Sequence, residues 1–169
     1  MNATLAIWNA ASEADALDAM LACCGARRWA TAMVALRPIA SIADLSAAAD
    51  REWSRMEEAD WMQAFACHPR IGDRKPAHAS AKSAAWSAQE QSSTTSAADR
   101  VLAELAEGNA IYEHRFGFTY IVCATGKSAD EMLAILKRRL NSSRAKELRE
   151  AAEQQRQIMQ IRLGKWLAE

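Results

Sequence analysis

Apolar residues recur along this chain mainly at spacings of three and four, the pattern of helices with one buried face. Ser12 with Asp15 opens the first such stretch, which carries Leu17, Met20 and Leu21 and ends near Gly25. "RRWATAMVALRP" predicts a second, short helix that stops at Pro38. Ser41 reads as the N-cap of "IADLSAAADREWSRM", in which Ile42, Leu45, Ala49 and Trp53 keep helical register. "EEADWMQAFAC" predicts another short helix with Trp61, Met62 and Phe65 as its apolar positions. Pro69 ends it, because proline disfavours the helical conformation in the residue before it, here His68.

Residues 69–84, with Pro69, Gly72 and Pro76, read as loop. In "WSAQEQ" the pair Ser87-x-x-Glu90 reads as a capping box that starts a helix. "SSTTSAAD", residues 92–99, reads as a polar connector, and a long helix follows from about Ala97 to Arg115, closed by Gly117. "FTYIVCAT" is the one strongly β-favouring run and is too solitary to imply a sheet. Ser128 and Glu131 form a second capping box before "EMLAILKRRL", which Asn141 closes, and Ser143 to Trp166 is a last uninterrupted helix. The elements predict an all-α fold, one multi-helix domain over residues 1–169 without internal repeats.

Composition sharpens this reading. A chain of 169 residues can enclose a real core, and six Gly with three Pro leave little turn material for a many-stranded sheet. The 21 basic and 21 acidic residues cancel, which argues against nucleic acid or an anionic membrane as a bulk electrostatic partner. Cys23, Cys24, Cys67 and Cys123 lack zinc-ligand spacing and a disulfide framework, so they read as buried, reduced thiols. No apolar run approaches the roughly 18 residues of a membrane span, and "MNATLAIWNAASEAD" lacks the basic and apolar regions of a signal peptide. The expected setting is the cytoplasm.

Several side chains could carry chemistry. His68 reads either as a histidine at a helix C-terminus, favoured there by the dipole, or as a general acid or base, since imidazole changes charge near neutrality. His78 in the loop and His114 on the long helix read as surface residues. Glu90 reads as a capping-box partner of the Ser87 amide; Ser87, Glu90 and Gln91 could also hydrogen-bond a small polar ligand. Arg162 falls in line with Ile158 and Trp166 and beside Met159, on the apolar stripe of the last helix. Its stem could pack there while the guanidinium snorkels or meets a core carboxylate; alternatively, the guanidinium faces an anionic substrate. Tyr120, Ile121, Val122, Cys123 and Ala124 read as buried packing whose unpaired backbone groups could meet a urea-like or imide ring.

"HPRIGDR", "WSAQEQ", "RFGFTYIVCATGKS" and "LREAAEQQRQIMQIRL" occur in this order. In these motifs and their spacing, over essentially the whole length, the chain resembles the 2-oxo-4-hydroxy-4-carboxy-5-ureidoimidazoline (OHCU) decarboxylase family. The resemblance implies an all-helical decarboxylase that uses no cofactor and no metal, acts on a small-molecule ureide late in urate breakdown, and is compatible with a homodimer. By motif, it implies that His68 is the catalytic histidine and Pro69 the pocket residue after it. Ser87, Glu90 and Gln91 match the family's polar cluster, with Glu90 beside the histidine. The backbone of Tyr120 to Ala124 matches the segment that grips the ureide, and Arg162 the arginine on the carboxylate side. Departures are small: Cys67 stands where alanine is common, Tyr120 where phenylalanine is usual and Thr125 where arginine is frequent. "SSTTSAAD" lacks the usual small Ala/Gly run.

The chemistry implied is self-contained. The carbon that loses CO2 bears a hydroxyl and adjoins a ring C=N bond, which serves as the electron sink. A histidine held by a carboxylate can remove the hydroxyl proton and return one later to a single face of the ureido-bearing carbon. Two other classes stay open on the residues alone: a non-catalytic helical binding module, and a hydrolase of cyclic ureides using the same histidine and glutamate to activate water.

Overall fold

Short polar side chains set where many of the helices begin. In the computed structural model, which describes residues 2–72 and 80–169, Asn2, Ser12, Ser41, Ser80 and Ser128 each accept a hydrogen bond from the backbone amide three residues on. The helices are α1 (Ala3–Ala10), α2 (Glu13–Cys23), α3 (Arg27–Ala35), α4 (Ile42–Trp53), α5 (Glu58–Phe65), α6 (Ala81–Glu90), α7 (Asp99–Phe116), α8 (Ala129–Arg139) and α9 (Arg144–Leu167). A 3-10 turn, Ser92–Ser96, lies between α6 and α7. There is no strand among the described residues, so the all-α expectation holds. None of these helices is long and apolar enough to cross a membrane.

Two compact units make up the chain: Met1–Ala64 with Arg156–Glu169, and Phe65–Gln155. In the first, buried tryptophans do two jobs, supplying apolar area and donating from their indole nitrogens. Trp8 donates to the Ala16 carbonyl at 3.0 Å and Trp29 to that of Ala49 at 3.1 Å. Trp8 also packs edge-on against Trp166, with centroids 6.0 Å apart. Arg37 closes the C-terminal end of α1, donating to the carbonyls of Trp8 and Ala11 at 2.7 and 2.9 Å. Gln160 bonds Ser46 and Asp50, and Arg156 pairs with Asp50, joining this part of α9 to α4.

The second unit is built on aromatic packing. Tyr112, Phe116, Phe118 and Tyr120 are all buried, and Tyr112 lies 4.7–5.7 Å from the other three. Phe65 stacks on Phe118 at 5.3 Å. Gly108 lets α7 and α8 approach closely, since a Cβ there would lie 2.6 Å from Leu136 Cδ2. Gly117 ends α7 in the left-handed conformation, φ 81°, and the Ser128–Glu131 capping box opens α8 as expected.

The structure corrects several expectations. α1 precedes the first expected helix; it buries only Leu5 and Trp8 and exposes Ile7, so its apolar stripe is too thin to read. In α2 the buried line is Ala16, Met20 and Cys23, while Leu17 and Leu21 are only half-buried. α6 starts at Ala81 behind the cap of Ser80, inside the stretch expected to be loop. Cys67 is half-buried, unlike the other three cysteines. Asp73 to Ala79, with Pro76, His78 and the end of "HPRIGDR", lie outside the described residues.

Candidate active site

The position of His68 follows from its neighbours in sequence. α5 ends at Phe65, and the His68 amide donates to the Phe65 carbonyl at 3.1 Å, closing a turn that the buried Pro69 leads away from. Three helices of the same unit then hold the turn residue by residue. His68 Nε2 lies 2.7 Å from Gln155 Oε1 on α9. Arg70 forms a bidentate pair with Glu113 on α7, both contacts 2.7 Å. Asn109, also on α7, donates to the Ile71 carbonyl at 3.3 Å, and its buried Oδ1 has no partner among the described residues. The Gly72 amide donates to Gln91 Oε1 at 3.0 Å, and Gly72, at φ 94°, adopts a conformation suited to glycine. The histidine therefore sits on a fixed platform.

Ser87 and Glu90 are not a capping box. Ser87 is buried inside α6, Glu90 is its last residue and half-buried, and Gln91 is the C-cap. The helix start lies at Ser80, and Ser83, Trp86 and Ser87 form its inward face. A carboxylate in the final turn opposes the helix dipole, so Glu90 stands where stability alone would not put it.

Tyr120 to Ala124 is extended and buried throughout. Its backbone is held by side chains from elsewhere in the unit: the Ile121 carbonyl accepts from Arg139 at 2.6 Å, the Cys123 amide donates to Gln154 Oε1 at 2.8 Å, and the Cys123 carbonyl accepts from Lys127 Nζ at 2.7 Å. The Lys127 amide donates to the Ala124 carbonyl at 3.0 Å. The Ile121 and Ala124 amides and the Val122 carbonyl have no partner among the described residues.

Arg139 belongs to a buried polar group that the sequence reading missed. Its Nε donates to Glu147 Oε1 at 2.5 Å, the Tyr112 hydroxyl donates to the same oxygen at 2.5 Å, and the guanidinium lies 4.9 Å from the centre of the Tyr120 ring. The Tyr120 hydroxyl donates to the Met132 carbonyl at 3.0 Å. Burial pushes both tyrosine pKa values up, beyond the opposing pull of Arg139. Burial alone would lower the Arg139 pKa, but the hydrogen bond to Glu147 and the charge of that carboxylate hold it above its ordinary value.

Comparison with known proteins places this arrangement. The family model for OHCU decarboxylase matches residues 9–164. The chain belongs to the OHCU decarboxylase family. It is 36% identical over 151 residues to a "Uric acid degradation bifunctional protein TTL" of Arabidopsis thaliana, covering 88% of this chain and 46% of that protein. The chain thus spans about half the length of that relative. It is 29% identical over 127 residues to a 2-oxo-4-hydroxy-4-carboxy-5-ureidoimidazoline decarboxylase of Amia calva, covering 75% of this chain and 73% of the relative. Among solved structures, one of OHCU decarboxylase in the presence of (S)-allantoin matches with a TM-score of 0.77 and 31% identity, over 90% of this chain and 99% of the other. An (S)-allantoin synthase structure matches with a TM-score of 0.71 at 18% identity, over 96% and 53%, and supports the fold alone.

Of the residues that the family resemblance singled out, the structure joins Gln91 to the His68 turn, through Gly72. Arg162 belongs to the other compact unit; it is 2% exposed, on the same side of α9 as the buried Ile158, Met159 and Trp166. The side chains that sequence reasoning missed are the anchors: Gln154, Gln155, Arg139, Glu147, Asn109 and Lys127. Arg139 follows the buried Leu136 by three, and Gln155 follows Glu147 and Ala151 at intervals of four, spacings that mark an inward face. Among the described residues no cluster of His, Cys, Asp or Glu is arranged to hold a metal ion.

Proposed function

We propose that this protein decarboxylates OHCU to (S)-allantoin, in the cytoplasm, with residues 1–169 acting as one catalytic domain. The observation that carries the reading is the His68 turn: in a chain of this family, the motif histidine is fixed from three helices, its ring engaged by Gln155. His68 takes the proton from the hydroxyl on the carbon that carries the carboxylate. The electrons of the breaking C–CO2 bond form a C=C bond as the adjacent C=N pair moves onto the ring nitrogen, which takes up a proton from solvent. The hydroxyl carbon then becomes a carbonyl as His68 delivers its proton to one face of the ureido-bearing carbon. Glu90 supports the positive charge that develops on His68, and Ser87 and Gln91 meet the ring's polar edge. The Ile121 and Ala124 amides and the Val122 carbonyl, which have no partner among the described residues, pair with the ureide. Arg162 holds the substrate carboxylate by its planar fork.

The test is freshly generated substrate, followed by ultraviolet absorbance and circular dichroism. Release of CO2 with optically active allantoin is expected. Ring opening without CO2 would indicate a hydrolase, and binding without turnover a binding module. His68→Asn should lower turnover by about 10²–10⁴-fold, the usual span for a general acid/base, with the far-ultraviolet spectrum unchanged. Near-normal (S)-allantoin production by that variant would remove His68 from the mechanism.

A further inference from the structure

Gln155 is buried at 0% exposure, and its Oε1 lies 2.7 Å from His68 Nε2 across 87 residues of sequence. An amide oxygen can only accept, so the bond forms only when Nε2 carries the proton. The partner of one imidazole nitrogen decides the state of the other. Burying an amide costs stability unless it is hydrogen-bonded, so a glutamine on the inward line Glu147–Ala151–Gln155 calls for a reason beyond packing.

We propose that Gln155 is a positioning residue that fixes His68 as the Nε2–H tautomer, so that Nδ1 is the nitrogen that takes up the substrate's proton. The inference rests on the assignment of His68 above and deepens it. A proton accepted at Nδ1 gives an imidazolium whose Nε2–H stays on Gln155, so the ring need not turn between taking a proton and returning it. Gln154, the next residue, holds the Cys123 amide. Two consecutive side chains of one helix thus fix the base and the extended segment together.

The experiment combines nitrogen-15 spectra of imidazole-labelled protein with kinetics. The chain has three histidines, and His68→Asn identifies the His68 signals by their loss. In the wild type at pH 8.5, His68 should show the Nε2–H pattern. Gln155→Leu should give mixed tautomers and a kcat about 10–100-fold lower, the range for removing a partner that orients a functional histidine, with KM changed much less. Gln155→Glu, nearly isosteric, still accepts from Nε2 and should recover most of that kcat. An Nδ1–H pattern in the wild type, or a Leu variant with wild-type kcat, would overturn the proposal. If the Leu variant does not fold, the wild-type spectrum and the Glu variant decide. Loss of activity in His68→Asn with none in Gln155→Leu rejects only the role of Gln155, whereas an active His68→Asn rejects the reading beneath it.

Discussion

Removing one member of the Arg139–Glu147 pair should cost more than almost any other single change in this protein. Both side chains are 1% exposed, and Glu147 Oε1 accepts from Arg139 and from Tyr112. Glu147→Leu leaves a guanidinium without its counter-charge and a phenol without its acceptor, a loss of about 3–5 kcal/mol. Arg139→Met leaves the carboxylate in the same difficulty and strips the Ile121 carbonyl of its donor, with a similar cost. The double variant carries no buried charge at this site; what remains unsatisfied is the Tyr112 hydroxyl and the Ile121 carbonyl, about 1–3 kcal/mol each. Its cost should therefore fall below the sum of the singles, by about 4 kcal/mol at the middle of these ranges. Urea unfolding at pH 7, read by far-ultraviolet circular dichroism at constant m-value, measures all three. In a chain of this size each single loss should lower Tm by roughly 6–20 °C. Costs that add within ~0.5 kcal/mol, or a single variant costing under ~1 kcal/mol, would refute the reasoning.

Three other outcomes follow from the site. Tyr112 and Tyr120, the protein's two tyrosines, have pKa values raised by burial, so their neutral forms stabilise the fold below the ordinary tyrosine value of about 10, and that contribution is lost as pH rises beyond it. Absorbance at 295 nm should show no tyrosinate in the native protein at pH 11 and then both residues ionising together as it unfolds; stepwise ionisation with the fold intact would count against their burial. Glu90→Gln removes a carboxylate from the last turn of α6, so stability should hold or rise by up to about 1 kcal/mol while turnover falls sharply; a destabilised variant with full activity per folded molecule would make Glu90 structural. Arg162→Lys keeps charge but loses the fork, and should impair turnover severely with little change in unfolding midpoint; full activity would take Arg162 out of carboxylate binding.

Local chemistry made some features legible and left others hidden. The caps at Ser12, Ser41 and Ser128 could be read because each precedes a strong apolar stripe. Ser87-x-x-Glu90 misled because the same four-residue pattern can fall anywhere in a helix, and only the burial of Ser83, Trp86 and Ser87 shows that the helix is already under way. His68 stood out because Pro69 forces the chain to turn there. Gln155 did not, since its partner lies 87 residues away and a glutamine among Glu, Gln and Arg looks like a solvated face. Arg139 carried the same clue as Arg162, a charge in register with buried residues, but three basic residues in the last turn of α8 read more simply as dipole compensation.

The extended segment has a consequence for how this protein tolerates change. From Tyr120 to Ala124 the side chains fill the interior, while the main-chain atoms are steered by Arg139, Lys127 and Gln154. Alanine scanning of those five positions would mostly report packing, because a peptide N–H or C=O survives every substitution except proline at the amide. Residue identity there can drift as long as volume is kept. The heritable information about the segment's shape is written instead at the three anchors, two of them well downstream in α8 and α9, so a mutation in either helix can reshape the segment without altering one of its own residues.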